Sequence, residues 1–187
     1  MFKKNLAAIG WQTGIFAAGI IIAWLFLIIP TPRQFGLAFR YDFIQIVAFI
    51  GLIVFLILQL PDKLSRLLLF AFLAAIFVWP IAGLWSSGQS EQYLLGGIIP
   101  FSDARSYFTD SSRLSEGVQF ITGASRRPLF TTLLASLQWI TGQNLYITIA
   151  ILTFVLTIAA YLTVRELNFH EGPAAATLFL ILIYCYV

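Results

Sequence analysis

The residues best suited to chemistry lie in one polar segment, residues 86–127, between two apolar stretches. The segment holds eight charged side chains: Glu91, Asp103, Arg105, Asp110, Arg113, Glu116, Arg126 and Arg127. An aspartate acts as a general base when its carboxylate reaches a hydroxyl proton in the transition state. Arginine suits phosphate because its planar fork donates two hydrogen bonds at once. Asp103 is therefore the candidate general base, and Arg105, Arg126 and Arg127 are candidate ligands of an anionic group.

A short helix is expected to position these groups. Ser102 is a favoured N-cap and Gly117 a favoured residue after a C-cap, so the sequence predicts a helix between them. At about 100° per residue, this helix places Asp103, Tyr107 and Asp110 on one face. Tyr107 and Asp110 are therefore candidates for lining the same site.

Simpler interpretations stay open for the same residues. Ser102 and Asp103 are also typical caps of a surface helix, and the residues alone favour that interpretation over catalysis. Asp110 is expected to be a solvated helix residue or a partner of Arg113 rather than a second acid. His170 is expected in a structural or solvent-exposed role.

The composition is that of a chain whose solvent is lipid. Hydrophobic residues make up 60% of it and charged residues only 10%, whereas soluble domains have about 45–50% and about 25%. A single Cys185 and a single His170 exclude a disulfide framework and a Cys/His metal cluster. No dinucleotide motif or phosphate loop occurs, and the scattered basic residues give no nucleic-acid footprint. We therefore expect an integral membrane protein with no metal and no cofactor.

Long apolar runs predict an all-α, polytopic bundle of membrane helices. A span needs about 20 apolar residues. The expected spans are residues 11–29, 43–60, 67–85, 144–164 and a last one from Pro173. The apolar run Pro128–Ile140 has only 13 residues, which favours an interfacial or re-entrant helix that begins at Pro128 and is ended by Gly142. Residues 165–172 are expected to form a polar turn. The large loop 86–142 then carries two juxtamembrane helices.

The basic residues indicate an orientation. With the N-terminus in the cytoplasm, all three lysines lie inside together with Arg66 and Arg165, and the loop 86–142 is extracytoplasmic. The count of Lys and Arg is then five inside against six outside, and four of the outer six belong to the loop. In a bacterium this places the protein in the inner membrane.

Both ends of the chain carry expectations of their own. The first apolar run is longer than the core of a signal peptide, which has about 7–15 residues, so a retained helix is favoured. The sequence ends at Val187 inside an apolar run, and we expect the chain to be a fragment of a longer protein.

The motifs around the loop resemble those of one enzyme family. They are Ser102-Asp103-Ala104-Arg105-Ser106-Tyr107, Arg126-Arg127-Pro128-Leu129-Phe130, Thr141-Gly142-Gln143-Asn144 and Val164-Arg165-Glu166-Leu167. In order and spacing they are similar to the membrane glycosyltransferases of the GT-C fold, in the branch of protein O-mannosyltransferases and aminoarabinose transferases of lipid A. The resemblance covers about residues 67–187, the N-terminal part of such an enzyme. Residues 1–66 are expected to be two additional leading helices.

The resemblance implies roles for three residues. Asp103 matches the family's catalytic Asp, the expected general base. Tyr107 matches an aromatic residue four positions later, and Arg126 matches a basic residue expected near the phosphate of the donor. The chain departs from the family's pattern at Ala104, Arg105 and Arg127.

The function that the resemblance implies is transfer of a sugar from a polyprenyl-phosphate donor to an acceptor on the extracytoplasmic face of the membrane. The expected partners are the lipid-linked donor, membrane lipid, and an acceptor that is a lipid, a glycan or a protein. Two other classes stay open. One is a non-catalytic scaffold or degenerate relative whose loop only binds, and the other is a polymerase or ligase of surface polysaccharide.

Overall fold

The computed structural model describes residues 33–41, 43–92, 94–119 and 126–186, and these are mostly helical. The expected span 11–29 lies outside them. In chain order the described elements are α1 Arg33–Tyr41, α2 Phe43–Leu58, α3 Asp62–Ser87, β1 Leu94–Leu95, β2 Ile99–Pro100, α4 Asp103–Ser115, α5 Pro128–Ile140, α6 Leu145–Glu171 and α7 Pro173–Tyr186. They divide into two compact units, one of residues 33–83 and 153–186 and one of Leu84–Leu152.

The core of the first unit is built around α3. Its buried side chains come from five helices and include Phe39 of α1, Ile50, Val54 and Ile57 of α2, Leu69, Phe70, Leu73, Ile76 and Phe77 of α3, Tyr161 and Val164 of α6, and Ala176 and Leu180 of α7. The rings of Phe70 and Tyr161 meet edge to face with their centroids 5.3 Å apart. This near-continuous apolar packing gives α3 the character of a central helix.

One end of the first unit gathers around α1. Gly36 lies so close to Gly83 that a Cβ on either residue would collide with the backbone of the other. The ring of Phe39 lies 5.0 Å from that of Trp79, and the Tyr184 hydroxyl donates to the Phe39 carbonyl over 2.6 Å. The C-terminal ends of α3 and α7 therefore lie beside α1. The first residues of α2 lie at this same end of the unit, because α2 directly follows α1 in the chain.

Two of the described helices are long and apolar enough to cross a membrane, judged by length and composition. They are Asp62–Ser87 with 26 residues and Leu145–Glu171 with 27 residues. The first contains Pro80 without interruption. Helix α2 ends at Leu58 after 16 residues, two residues earlier than expected, and α7 has 14 described residues. Membrane association thus has support from α3 and α6.

The expected polar turn at residues 165–172 is wrong for all but its last residue. Helix α6 continues through this stretch to Glu171. Glu166 and His170 stand four residues apart and contact each other over 3.0 Å across one helical turn, a spacing that supports a helix. The turn is confined to Gly172, whose φ of +86° favours glycine.

The second unit opens with a small hairpin and continues with two short helices. Strands β1 and β2 pair antiparallel, with Leu94 opposite Pro100 and Leu95 opposite Ile99. Helices α4 and α5 both end in a Schellman motif, because Gly117 and Gly142 take positive φ and the next amide bonds back to Arg113 and Gln138 respectively. The sequence predicted both glycine stops.

Candidate functional site: the α4–α5 helix pair

Helices α4 and α5 pack on each other through a buried polar seam. Its fully or almost fully buried side chains are Asp110, Ser111, Thr131, Leu134, Ala135 and Gln138. The Ser111 hydroxyl lies 2.7 Å from Gln138 Oε1, and the Ser112 hydroxyl lies 3.4 Å from the same atom. Buried polar groups of this kind stabilise a structure only when they are hydrogen-bonded. The seam therefore specifies how the two helices meet.

The N-terminal ends of α4 and α5 lie at the same end of the pair. Tyr107, in the second turn of α4, meets Phe130, in the first turn of α5, with ring centroids 5.4 Å apart. Further along both helices, Ser111 meets Gln138. In each helix, the residue of the second contact comes later in the chain than the residue of the first. The two helices therefore run roughly parallel. Two helix N-termini, each carrying a partial positive charge, then point to one side.

Arg127 closes this end of the pair. Its guanidinium carbon lies 5.8 Å from the centre of the Tyr107 ring, within the range of a cation–π contact. Its own carbonyl accepts hydrogen bonds from the amide and the hydroxyl of Thr131, over 3.3 and 3.2 Å. Arg127 is thus held by α4 through its side chain and by α5 through its backbone.

Asp103 is the first residue of α4, and its side chain is exposed. Within the described residues its carboxylate makes no hydrogen bond and no ion pair. Tyr107 follows four residues later on nearly the same face, about one turn or 6 Å along the axis. The structure therefore brings Asp103, Tyr107 and Arg127 to one end of the pair, with the carboxylate open to a ligand.

Ser102 is the N-cap residue of α4, as the sequence predicts, and Asp103 is the first helical residue. Ser102 has a φ of +53°, and its side chain makes no capping hydrogen bond to α4. The simpler interpretation, in which Ser102 and Asp103 only begin a surface helix, thus agrees with the position of the helix start but has no capping hydrogen bond from Ser102.

Arg105 and Arg126 are both exposed. Neither guanidinium makes a hydrogen bond, an ion pair or a ring contact with another described residue. Arg126 precedes Arg127 in the chain and so lies near the same end of the pair, whereas Arg105 sits in the first turn of α4. Both can supply positive charge, but neither is fixed.

The expectation that Asp110 is solvated is wrong. Its side chain is fully buried in the seam, beside Ser111. Arg113, the partner proposed for it, directs its Nε to the carbonyl of Gln119 over 3.2 Å. A buried carboxylate is costly unless it is paired or hydrogen-bonded, so Asp110 belongs to the structure of the seam and not to the open end with Asp103.

The outer surface of α5 is apolar. Leu129, Trp139 and Ile140 are 87%, 77% and 68% exposed, while Thr131 and Gln138 are buried. This distribution is the reverse of a helix that faces water, in which polar residues lie outside. Leu95, Ile99 and Phe101 of the hairpin region are also exposed. Such surfaces in a soluble protein mark contacts with a membrane or a partner.

The seam itself was missed by the sequence analysis. Its only signal is Gln138, a polar residue deep in the apolar run Pro128–Ile140, together with the pair Ser111 and Ser112 on α4. A polar side chain inside an apolar helix needs a hydrogen-bond partner, so Gln138 predicts a contact but not the identity of that contact.

In the described part of the chain, no group of three or more His, Cys, Asp or Glu side chains is arranged to hold a metal ion. Comparison with known proteins gave no match, neither to a family model nor to a curated protein nor to a solved structure.

Proposed function

We propose that the chain is a polytopic membrane glycosyltransferase. It transfers a sugar from a polyprenyl-phosphate donor to an acceptor on the extracytoplasmic side, and Asp103 is its general base. The observation that carries the proposal is the open end of the helix pair. There the exposed Asp103 carboxylate stands one turn from Tyr107, against which the Arg127 guanidinium lies. A base and a cation at this spacing fit an acceptor hydroxyl and a departing phosphate.

The chemistry requires one bond to form and one to break. The acceptor oxygen attacks the anomeric carbon, and the bond from that carbon to the phosphate oxygen breaks through an oxocarbenium-like state. The electron pair leaves with the lipid phosphate, whose charge Arg127 and Arg126 stabilise. The acceptor proton passes to the Asp103 carboxylate. Attack from the face opposite the phosphate inverts the anomeric configuration.

The membrane arrangement we propose uses the apolar helices. Helices α3 and α6 cross the bilayer, and the shorter apolar helices α2 and α7 accompany them. Helix α5 lies along the interface, with Leu129 and Ile140 in the acyl region and Trp139 at the level of the headgroups, where Trp is favoured. Asp103 then lies at the membrane surface, where the phosphate of a lipid-linked donor is found.

The test is sugar transfer by the intact protein reconstituted with a radiolabelled polyprenyl-phosphate sugar. Asp103→Asn keeps the size of the side chain but removes the base, so transfer should fall about 100-fold or more. Glu116→Gln is the matched control, because Glu116 is an exposed acid at the other end of α4. Its transfer rate should match that of the wild type. Full activity in Asp103→Asn would refute the assignment and favour a loop that only binds.

A further inference from the structure

The three arginines of the site differ in how firmly they are held. All three are exposed, and the guanidinium groups of Arg105 and Arg126 make no contact with another described residue. Arg127 alone among them rests on an aromatic ring, 5.8 Å from the centroid of Tyr107. An arginine fixed before binding loses less side-chain entropy when it captures an anion.

The backbone of Arg127 is fixed as well. Pro128 follows it and restricts its conformation, and its φ of −131° is extended. Its carbonyl is the acceptor for both the amide and the hydroxyl of Thr131, which is completely buried. The point from which the Arg127 side chain starts is therefore set by α5.

The ring that receives Arg127 is fixed too. Tyr107 is half-buried and meets Phe130 at an interplanar angle of 81°, which is a favourable edge-to-face geometry. Phe130 is only three residues from Arg127 in the chain. The contact between Arg127 and Tyr107 is therefore supported from both helices.

We propose that Arg127 is the principal ligand of the donor phosphate and that Tyr107 is a positioning residue for it. The identity of the anion rests on the proposed function. The resemblance to GT-C enzymes instead expects Arg126 near the phosphate and leaves Arg105 and Arg127 only as further candidates, and Arg127 departs from the family's pattern. Tyr107 aligns the guanidinium so that a bound phosphate lies about one helical turn from Asp103.

The experiment measures the binding of farnesyl phosphate to the intact protein in phosphatidylcholine nanodiscs by calorimetry, with farnesol as the uncharged reference. Arg127→Ala should weaken the binding of farnesyl phosphate about ten-fold or more, since it removes a charge-assisted pair. Arg126→Ala should weaken it only about two-fold, because the exposed Arg126 guanidinium, unlike that of Arg127, rests on no ring and must be ordered when the anion binds. Arg113→Gln, at the far end of α4, is the control for general charge and should bind as the wild type does.

Tyr107 is tested with two substitutions. Tyr107→Leu removes the aromatic face and should weaken the binding of farnesyl phosphate about three-fold, whereas Tyr107→Phe keeps the face and should restore most of the affinity. In a transfer assay the same loss should appear in KM for the donor, with kcat little changed. If Tyr107→Leu does not fold, Arg127→Lys tests the same contact, because Lys keeps the charge but lacks the planar group that stacks on Tyr107.

Three results would overturn the proposal. One is a loss in Arg126→Ala as large as that in Arg127→Ala. Another is unchanged binding in both Tyr107→Leu and Arg127→Lys. The third is equal affinity of the wild type for farnesyl phosphate and farnesol. The expected binding pattern without any sugar transfer would instead support the role of Arg127 and refute the proposed glycosyltransferase.

Discussion

Ser111 and Gln138 lie 27 residues apart in the chain but meet in the buried seam between α4 and α5, with Oγ 2.7 Å from Oε1. The Ser111 hydroxyl also lies 2.8 Å from the carbonyl oxygen of Phe108. Its single proton is therefore shared between two acceptors, the Phe108 carbonyl and Gln138 Oε1. Because both side chains are buried, neither can exchange its partner for water without opening the helix pair.

The first prediction concerns the strength of this contact. Gln138→Leu removes the polar partner of a buried hydroxyl, so the free energy of unfolding should fall by about 1–3 kcal/mol. In a double-mutant cycle with Ser111→Ala, the coupling energy should be about 1 kcal/mol. Denaturant unfolding in detergent, followed by circular dichroism, measures both quantities.

Ser136→Ala is the control for this cycle. Ser136 is exposed on the same helix and only bonds back to the Thr132 carbonyl over 2.9 Å. Its effect should stay within about 0.5 kcal/mol. A coupling energy near zero between Ser111 and Gln138 would mean that apolar contacts alone hold the two helices together.

Local signals predicted the ends of α5 and α6 unequally well. Pro128 and Gly142 bracket α5 as expected, because proline is suited to the first turn and glycine to the positive φ after the last. The polar stretch at the end of α6 suggested a turn, yet the helix continues for about two more turns to Glu171, and Glu166 contacts His170 within them. Polarity alone does not distinguish a helix end that leaves an apolar environment from a loop.

Asp110 shows why the site was predicted only in part. Helical periodicity placed Asp103 and Asp110 on a common face, but it does not say which turn of that face a second helix covers. Helix α5 meets α4 at Ser111, next to the buried Asp110, whereas Asp103 stays exposed. This outcome depends on a contact between segments more than twenty residues apart, for which the sequence offers no spacing rule.

The second prediction compares two glycines of the hairpin turn. Gly96 and Gly97 both have positive φ, of 59° and 80°. A Cβ on Gly96 meets open space, whereas a Cβ on Gly97 would collide with the carbonyl of Leu84. Gly96→Ala should cost about 1–2 kcal/mol for the backbone conformation alone. Gly97→Ala should cost at least about 1 kcal/mol more, because the clash adds to it.

Unfolding midpoints in detergent give this comparison directly. The loss of transfer activity should follow the same order, since β2 leads into α4 through Phe101 and Ser102. Equal costs for the two variants would show that the approach of Gly97 to Leu84 is not a feature of the folded protein.

The third prediction concerns two glycines inside helices of the first unit. Alanine is normally better than glycine in a helix by about 1 kcal/mol. Gly51→Ala should keep most of this gain, because the atom it meets is the terminal Cδ1 of Ile181, which can turn aside. Gly83→Ala should instead destabilise by about 1–3 kcal/mol, because a Cβ there meets the backbone of Gly36. The measurement is the change in thermal unfolding midpoint for each variant. A rise for Gly51→Ala and a fall for Gly83→Ala would establish the close approach of α1 to α3, and a rise for both would contradict it.

The last prediction concerns the side of the membrane on which each end of α6 lies. Helix α6 has 27 residues, enough at about 1.5 Å each to exceed a hydrocarbon core of about 30 Å. In a Cys185→Ser background, which removes the chain's single cysteine, Gln92→Cys should react with an impermeant maleimide in intact cells. Glu171→Cys should react only after the cells are opened. Both native positions are exposed, so burial within the described fold does not limit either reaction. Labelling of both from the same side would mean that α5 also crosses the bilayer or that α6 does not. The open end of the α4–α5 pair would then no longer face the compartment in which the proposed acceptor lies.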